Sequence, residues 1–157
     1  MRIGRSEVIV RADNRHGFVD LTDELERVVE RSGITDGYAI AFCTHTTATL
    51  MINEWEDGTL EDLRARLREL IPHDVYYRHD DLSCRTQNLR GGPEPANGAA
   101  HVTQMILGGA SLAIPVAANK PLFGRWQRLF MVELDEPRDR TIVFFVMGVR
   151  TGSALPP

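Results

Sequence analysis

The stretch Thr44-His45-Thr46-Thr47-Ala48-Thr49, followed by Asn53-Glu54, gathers an imidazole, several hydroxyls, an amide and a carboxylate beside apolar runs. Residues two apart on a strand share a face, so His45, Thr47 and Thr49 line one side if the strand is regular there. Two readings stay open: a polar site, or a β-rich threonine stretch with a surface histidine. His101 falls in the first turn or so of a helix opened by Asn97, where free backbone N–H groups and the helix dipole favour an anion such as phosphate. Gly91-Gly92 and Gly98 permit close backbone approach, although the stretch matches neither the Walker pattern nor GxGxxG. A flexible loop ending in an ordinary cap explains it equally well.

His73 and His79 frame Tyr76-Tyr77-Arg78, with Asp80-Asp81 next. A histidine near paired carboxylates is a metal ligand, a general base or a solvated loop residue. Solvation is the expectation for His73, and His16 is left as surface. With no HExxH pair, a metal site has to draw on separated segments, such as His45, His79 and His101. Glu133 shares a strand face with Gln127, Leu129 and Met131, and a lone carboxylate in that position is expected to be exposed. Cys43 reads as a small apolar residue of a buried strand rather than as a nucleophile.

The elements that must position these groups follow from pattern. Ser6 to Arg11 reads as a strand, and a helix from Glu24 to Ser32 is capped by Thr22 and ended by Gly33. Strands at Gly37–Cys43 and Thr47–Ile52 flank the polar break at 44–47. Leu60, Leu63, Leu67 and Leu70 recur at helical spacing, giving an amphipathic helix over 56–70 that Pro72 closes. Pro72 to Ala96 has no periodicity, and so long a loop in a compact domain is usually functional or disordered. Asn97 caps a short helix, Ala99 to Leu107, that ends at Gly108-Gly109. Ser111 to Val116 is strand-like, with Pro115 confining it to an edge or bulge. Arg125 to Leu134 and Arg140 to Val149, joined by the turn-forming Asp135 to Asp139, predict a long antiparallel hairpin. The tail from Thr151 to Pro157 is expected to be loose.

Composition narrows the function classes. At 157 residues and 17.6 kDa the chain is expected to form one domain, 1–157, with a single core. Eighteen Lys plus Arg against twenty-two Asp plus Glu leave a net charge of −4, which speaks against a nucleic-acid partner. Two cysteines, no apolar leader and no bilayer-length apolar run make a cytoplasmic location with no membrane partner the expectation.

The ordered set His45-Thr-Thr-Ala, Asn53-Glu54, Tyr77-Arg-His79, Asn97 with Ala100-His101, Ser111 to Pro115, Gly124-Arg-Trp-Gln127 and Glu133 through Arg138 resembles the secondary thiamine-phosphate synthase, or YjbQ-type, family. The likeness runs from about Ser6 to Gly148. It implies an α/β (α+β) fold, mainly antiparallel β-sheets in a sandwich-like core with a few packed helices, assembled as a homotrimer with sites near subunit boundaries. It also implies one polar pocket: His45, His79, His101 and Glu133 as catalytic groups, with Thr46, Thr47, Asn53, Glu54, Asp62, Asn97, Trp126, Gln127 and Arg138 contacting substrate. His45, His79 and His101 would hold a divalent ion, zinc suiting three imidazoles better than magnesium does. The activity implied is a transferase joining a hydroxymethylpyrimidine diphosphate to a thiazole phosphate with release of pyrophosphate, as a main or secondary role. The alternatives are a metal-assisted hydrolase of a phosphorylated metabolite and a non-catalytic module that binds an anionic metabolite.

Overall fold

The computed structural model describes residues 1–150; the Thr151 to Pro157 tail, expected to be loose, lies outside them. Two antiparallel sheets and three helices form a mixed α+β fold, as expected. The elements are β1 (Arg2–Val10), β2 (Phe18–Asp20), α1 (Thr22–Ser32), β3 (Asp36–Cys43), β4 (Ala48–Glu54), α2 (Asp57–Leu70), α3 (Gly98–Leu107), β5 (Ser111–Ala117), β6 (Lys120–Pro121), β7 (Gln127–Glu133) and β8 (Arg140–Val149). A five-stranded sheet runs β1-β8-β3-β5-β6 and a three-stranded sheet runs β2-β7-β4.

The inner faces of both sheets meet in one core. Ala39 and Ala41 of β3, Leu50 of β4, Leu129 and Met131 of β7, and Phe144 and Val146 of β8 pack there with Leu25, Val28 and Val29 of α1. The other face of β7 is also buried: Phe130, Val132 and Leu134 pack against Leu60 of α2 and Ala100 of α3. The order is therefore five-stranded sheet, three-stranded sheet, then α2 and α3, which is why β7 is apolar on both faces.

The predicted hairpin of the last third does not form. β7 pairs with β2 and β4, whereas β8 inserts between β1 and β3, so residues 135–139 carry the chain from one sheet to the other. Turn chemistry marks a reversal of the chain but does not name the partner of each strand, and β7 and β8, apolar on both faces, offer no polar face to betray it. The predicted caps differ too. Thr22 makes no cap hydrogen bond; its hydroxyl accepts from the Leu129 amide at 2.9 Å, tying α1 to β7. Asn97 sits at the N-cap of α3 without capping it. β5 lies one place from the sheet edge, covered beyond only by the two-residue β6, in keeping with Pro115. His16 is not a surface residue: it is 2% exposed and its ring lies 5.4 Å from that of the half-buried His73.

On its outer face the five-stranded sheet presents Ile3, Ile9, Tyr38 and Phe42, which are 62, 67, 47 and 41% exposed. No helix of the described residues is long and apolar enough to cross a membrane.

Candidate functional site

The irregular segment between α2 and α3 folds over the end of β3 and encloses a cleft of about 1110 Å³. Its floor is the 44–47 break with Arg138 and Arg140, and its wall runs from Arg78 to Asn97 and His101. Of the residues expected at a site, His45, His79, His101, Thr46, Thr47, Asn97 and Arg138 do line this one cleft. Asn53, Glu54, Trp126, Gln127 and Asp62 do not. Asn53 pairs with Arg128 and Glu54 with Gln127 at the far end of the β4–β7 ladder. Trp126 is exposed, with the Arg125 guanidinium stacked 4.6 Å from its ring, and Asp62 lies on the exposed side of α2.

The wall is a built structure. The Asp81 carboxylate accepts from the Tyr76 hydroxyl at 2.8 Å and from the Ser83 hydroxyl and amide at 2.6 and 2.9 Å. The Ser83 bonds first, and then Tyr76, hold the Asp81 carboxyl at about 2, while the hydrogen bond to Asp81, then the contact with Cys84, pushes the Tyr76 hydroxyl up to about 12. Arg85 donates to the carbonyls of His79, Gln87 and Asn88 and faces the Glu94 carboxylate at 3.7 Å. Tyr77 donates to the Pro72 carbonyl at 2.6 Å. Gly98 is needed because a Cβ there would stand 2.6 Å from the Tyr77 Cβ.

The expected anion site at the α3 N-terminus is filled from within the chain: Asp80 Oδ1 accepts from the Gly98 amide at 2.8 Å. Asn97 is diverted as well. Its Nδ2 donates at 2.8 Å to Asp135, which is buried and also accepts from Arg138 at 2.6 Å. Its Oδ1 is buried without a partner among the described residues.

Glu133 does not point into solvent. It is fully buried and accepts from Arg140 Nε at 2.7 Å, so it backs the cleft through that guanidinium. Cys43 is buried, as expected, and desolvation pushes its thiol up. The rings of His79 and His101 lie 4.4 Å apart. Desolvation, reinforced by His79, holds His101 below the ordinary imidazole range. His45 is held down by desolvation and then by Arg140, and its Nε2 accepts from the Thr141 amide at 2.9 Å. Among the described residues no three His, Cys, Asp or Glu side chains are grouped to hold a metal ion. The residues present therefore do not fit the expected three-histidine centre, and no zinc or magnesium chemistry is drawn from them.

What spacing did not reveal is the arginine content. Arg78, Arg85, Arg90, Arg138 and Arg140 all line the cleft. Arg85, Arg138 and Arg140 face Glu94, Asp135 and Glu133, while the guanidiniums of Arg78 and Arg90 have no carboxylate partner among the described residues, the Arg90 amide alone donating to Glu94. The basic character of 85–90 is visible in the sequence, but Arg140 reads there only as the start of a strand.

Residues 6–149 match the family model described as UPF0047 protein YjbQ-like. The UPF0047 protein of Archaeoglobus fulgidus is 34% identical over 137 residues, covering 87% of this chain and 96% of that one. The UPF0047 protein YugU of Bacillus subtilis is 31% identical over 140 residues, covering 88% and 96%. The crystal structure of a YbjQ-like protein of unknown function from Sulfolobus solfataricus P2 superposes with a TM-score of 0.82 at 31% identity, covering 94% and 98%. None of these relatives is described as a thiamine-phosphate synthase, and the family is one of unknown function, which overturns the transferase expectation. The resemblance holds for the family and not for the reaction; the metal-assisted hydrolase gains no support either. The match over nearly the whole chain, in sequence and in fold, places this protein in the UPF0047, YjbQ-like family.

Proposed function

We propose that the cleft binds a small anion, with a phosphorylated molecule as the fitting class. The observation that carries this reading is the pair of guanidiniums, Arg78 and Arg90, left without a carboxylate partner among the described residues in a cleft whose other three arginines face acidic residues. A guanidinium presents a planar fork of N–H donors that matches phosphate oxygens. Neutral donors from Thr46, Gln87 and Asn88 share the lining and would complete its hydrogen bonding. Calorimetric titration with inorganic phosphate and with pyrophosphate tests this. Both should bind saturably, more weakly as salt rises, while an uncharged sugar of similar size should not. Absence of saturable binding by either anion would refute the reading.

The reading includes self-association into the homotrimer that the family resemblance implies. Ile3, Ile9, Tyr38 and Phe42 expose apolar surface on the outer sheet face, around the Arg5–Glu7 ion pair, and exposed apolar surface of this kind marks association faces. Thr44 and His45 follow Phe42 after the buried Cys43, so a neighbour seated on this face borders the cleft. Light scattering on the eluting protein should report three chains, and a monomer throughout the micromolar range would exclude this part.

A further inference from the structure

From the hydrogen bonding of its ring, we infer that His45 serves the cleft as a neutral hydrogen-bond donor through Nδ1, and not as a metal ligand or proton acceptor. The inference deepens the anion-binding proposal and rests on it for the identity of the acceptor. The ring assignment itself needs no ligand.

β3 pairs with β8 down to Cys43 opposite Ile142 and stops there. The next backbone groups of β8 would be left unpaired, because the chain turns away into the 44–47 break. Thr44 covers one of them: its amide and hydroxyl both donate to the Thr141 carbonyl, at 3.3 and 3.2 Å. The Thr141 N–H remains, and the acceptor it finds is His45 Nε2 at 2.9 Å. The imidazole thus stands in for the strand carbonyl that would have continued the ladder.

A backbone amide is an obligatory donor, so the atom facing it must carry a lone pair. Nε2 is then unprotonated, and in a neutral imidazole the proton sits on Nδ1. Nδ1 has no hydrogen-bond partner among the described residues, on a side chain that lines the cleft beside Arg140. Its N–H is a donor offered to a ligand. Coordination of a metal through Nε2 would take the lone pair from Thr141, and accepting a proton there would set two N–H groups against each other.

This placement also bears on the ligand. An anion in the cleft meets an uncharged N–H at His45 with guanidiniums around it, an arrangement that favours an acceptor-only group such as a phosphate or carboxylate oxygen.

The test is long-range nitrogen–proton correlation spectroscopy on the full chain with isotope-labelled histidines at neutral pH. His45 should give the pattern of a neutral ring protonated at Nδ1, and zinc added alone should leave its Nε2 resonance in place. A ring protonated at Nε2, an imidazolium, or a zinc-shifted Nε2 would overturn the inference. Two variants add a functional arm with inorganic phosphate as the probe. His45→Asn keeps an N–H donor near the Nδ1 position and should hold most of the affinity, whereas His45→Gln puts its amide near Nε2 and should lose about tenfold. Equal losses in two variants that both keep the native circular dichroism would count against a donor role. Failure of phosphate to bind the unaltered protein removes the anion reading, while the ring assignment is still decided by the spectra.

Discussion

Glu133, the last residue of β7, and Arg140, the first of β8, face each other across the crossover between the two sheets, both at most 2% exposed. Arg140 Nε donates to Glu133 Oε2 at 2.7 Å, and Glu133 Oε1 also accepts from the Asp135 amide at 3.0 Å. The pair closes the 135–139 connection on itself and leaves Arg140 fixed in the floor of the cleft. Removing one charge of such a pair strands the other in a poorly solvated place. Glu133→Gln keeps the Oε1 acceptor for Asp135 but removes the charge and turns Oε2, the acceptor of Arg140 Nε, into a donor. It should cost about 3–5 kcal/mol in urea unfolding. Adding Arg140→Met should restore much of that loss, since it removes the uncompensated charge; additive losses would show that the pair is not coupled.

Buried His16 should make stability fall in mild acid. Burial, then His73, Arg68, Arg15 and Arg64, lower its pKa from 6.5 to about 4. A depressed histidine binds fewer protons folded than unfolded between those two values, so stability rises with pH across that window. The contribution is complete above about pH 6.5 and is lost as pH falls toward 4; a shift of this size is worth about 3 kcal/mol. His73 and His101, also lowered by desolvation, act in the same sense. Urea midpoints should therefore drop between pH 6.5 and 4, where the His16 part of the fall ends. His16 has φ +58°, a conformation that asparagine tolerates. His16→Asn should flatten the slope while remaining folded, and an unchanged slope would assign the acid sensitivity to other groups.

Much of the fold was legible because periodicity reports burial. Leu60 and Leu67 are the buried residues of α2, and the Asp36–Cys43 and Ala48–Glu54 strands flank a polar break where the cleft lies. Strand pairing was not legible, since β7 and β8 are apolar for different neighbours and nothing local distinguishes a hairpin from a crossover. The site shows the same division. His45, His79 and His101 reach one cleft from three settings, the 44–47 break after β3, the irregular segment between α2 and α3, and the start of α3. Gln127 and Glu54, close to the set in sequence order, lie together at the opposite end of the β4–β7 ladder. The burial of His16 is not legible in its neighbours because it comes from groups remote in sequence, His73 and Arg64.

The wall between α2 and α3 depends on a close approach that can be tested by adding one carbon. A Cβ at Gly98 would lie 2.6 Å from Cβ and 3.0 Å from Cγ of Tyr77, two residues before His79. Gly98→Ala should therefore displace Tyr77, cost about 1–3 kcal/mol and weaken phosphate binding. Gly92 has no atom within 4 Å of such a Cβ, so Gly92→Ala should leave both stability and binding unchanged. The two variants measured side by side by thermal unfolding and calorimetry separate the tight contact from the loop's glycine content. Equal effects would mean that the wall does not need the contact.

The five cleft arginines should differ in what they do. Arg85 holds three carbonyls of the 79–88 segment and faces Glu94, so its charge is partly answered and its N–H groups are committed. Arg85→Met should lower stability and weaken phosphate only through a disturbed loop. The Arg78 and Arg90 guanidiniums face no carboxylate among the described residues. Arg78→Met and Arg90→Met should leave unfolding nearly unchanged, within about 0.5 kcal/mol as for surface changes without a structural partner. Each should weaken phosphate by about tenfold, the effect of losing one charge-assisted hydrogen bond. The discriminating measurement is affinity against ionic strength. Exposed charges are screened over about 10 Å at 0.1 M salt, so each of these two variants should bind with a shallower salt dependence than the unaltered protein. If Arg78→Met and Arg90→Met keep both the affinity and its salt dependence, the unpaired guanidiniums do not meet the anion, and the charge that attracts it must come from the paired arginines of the floor.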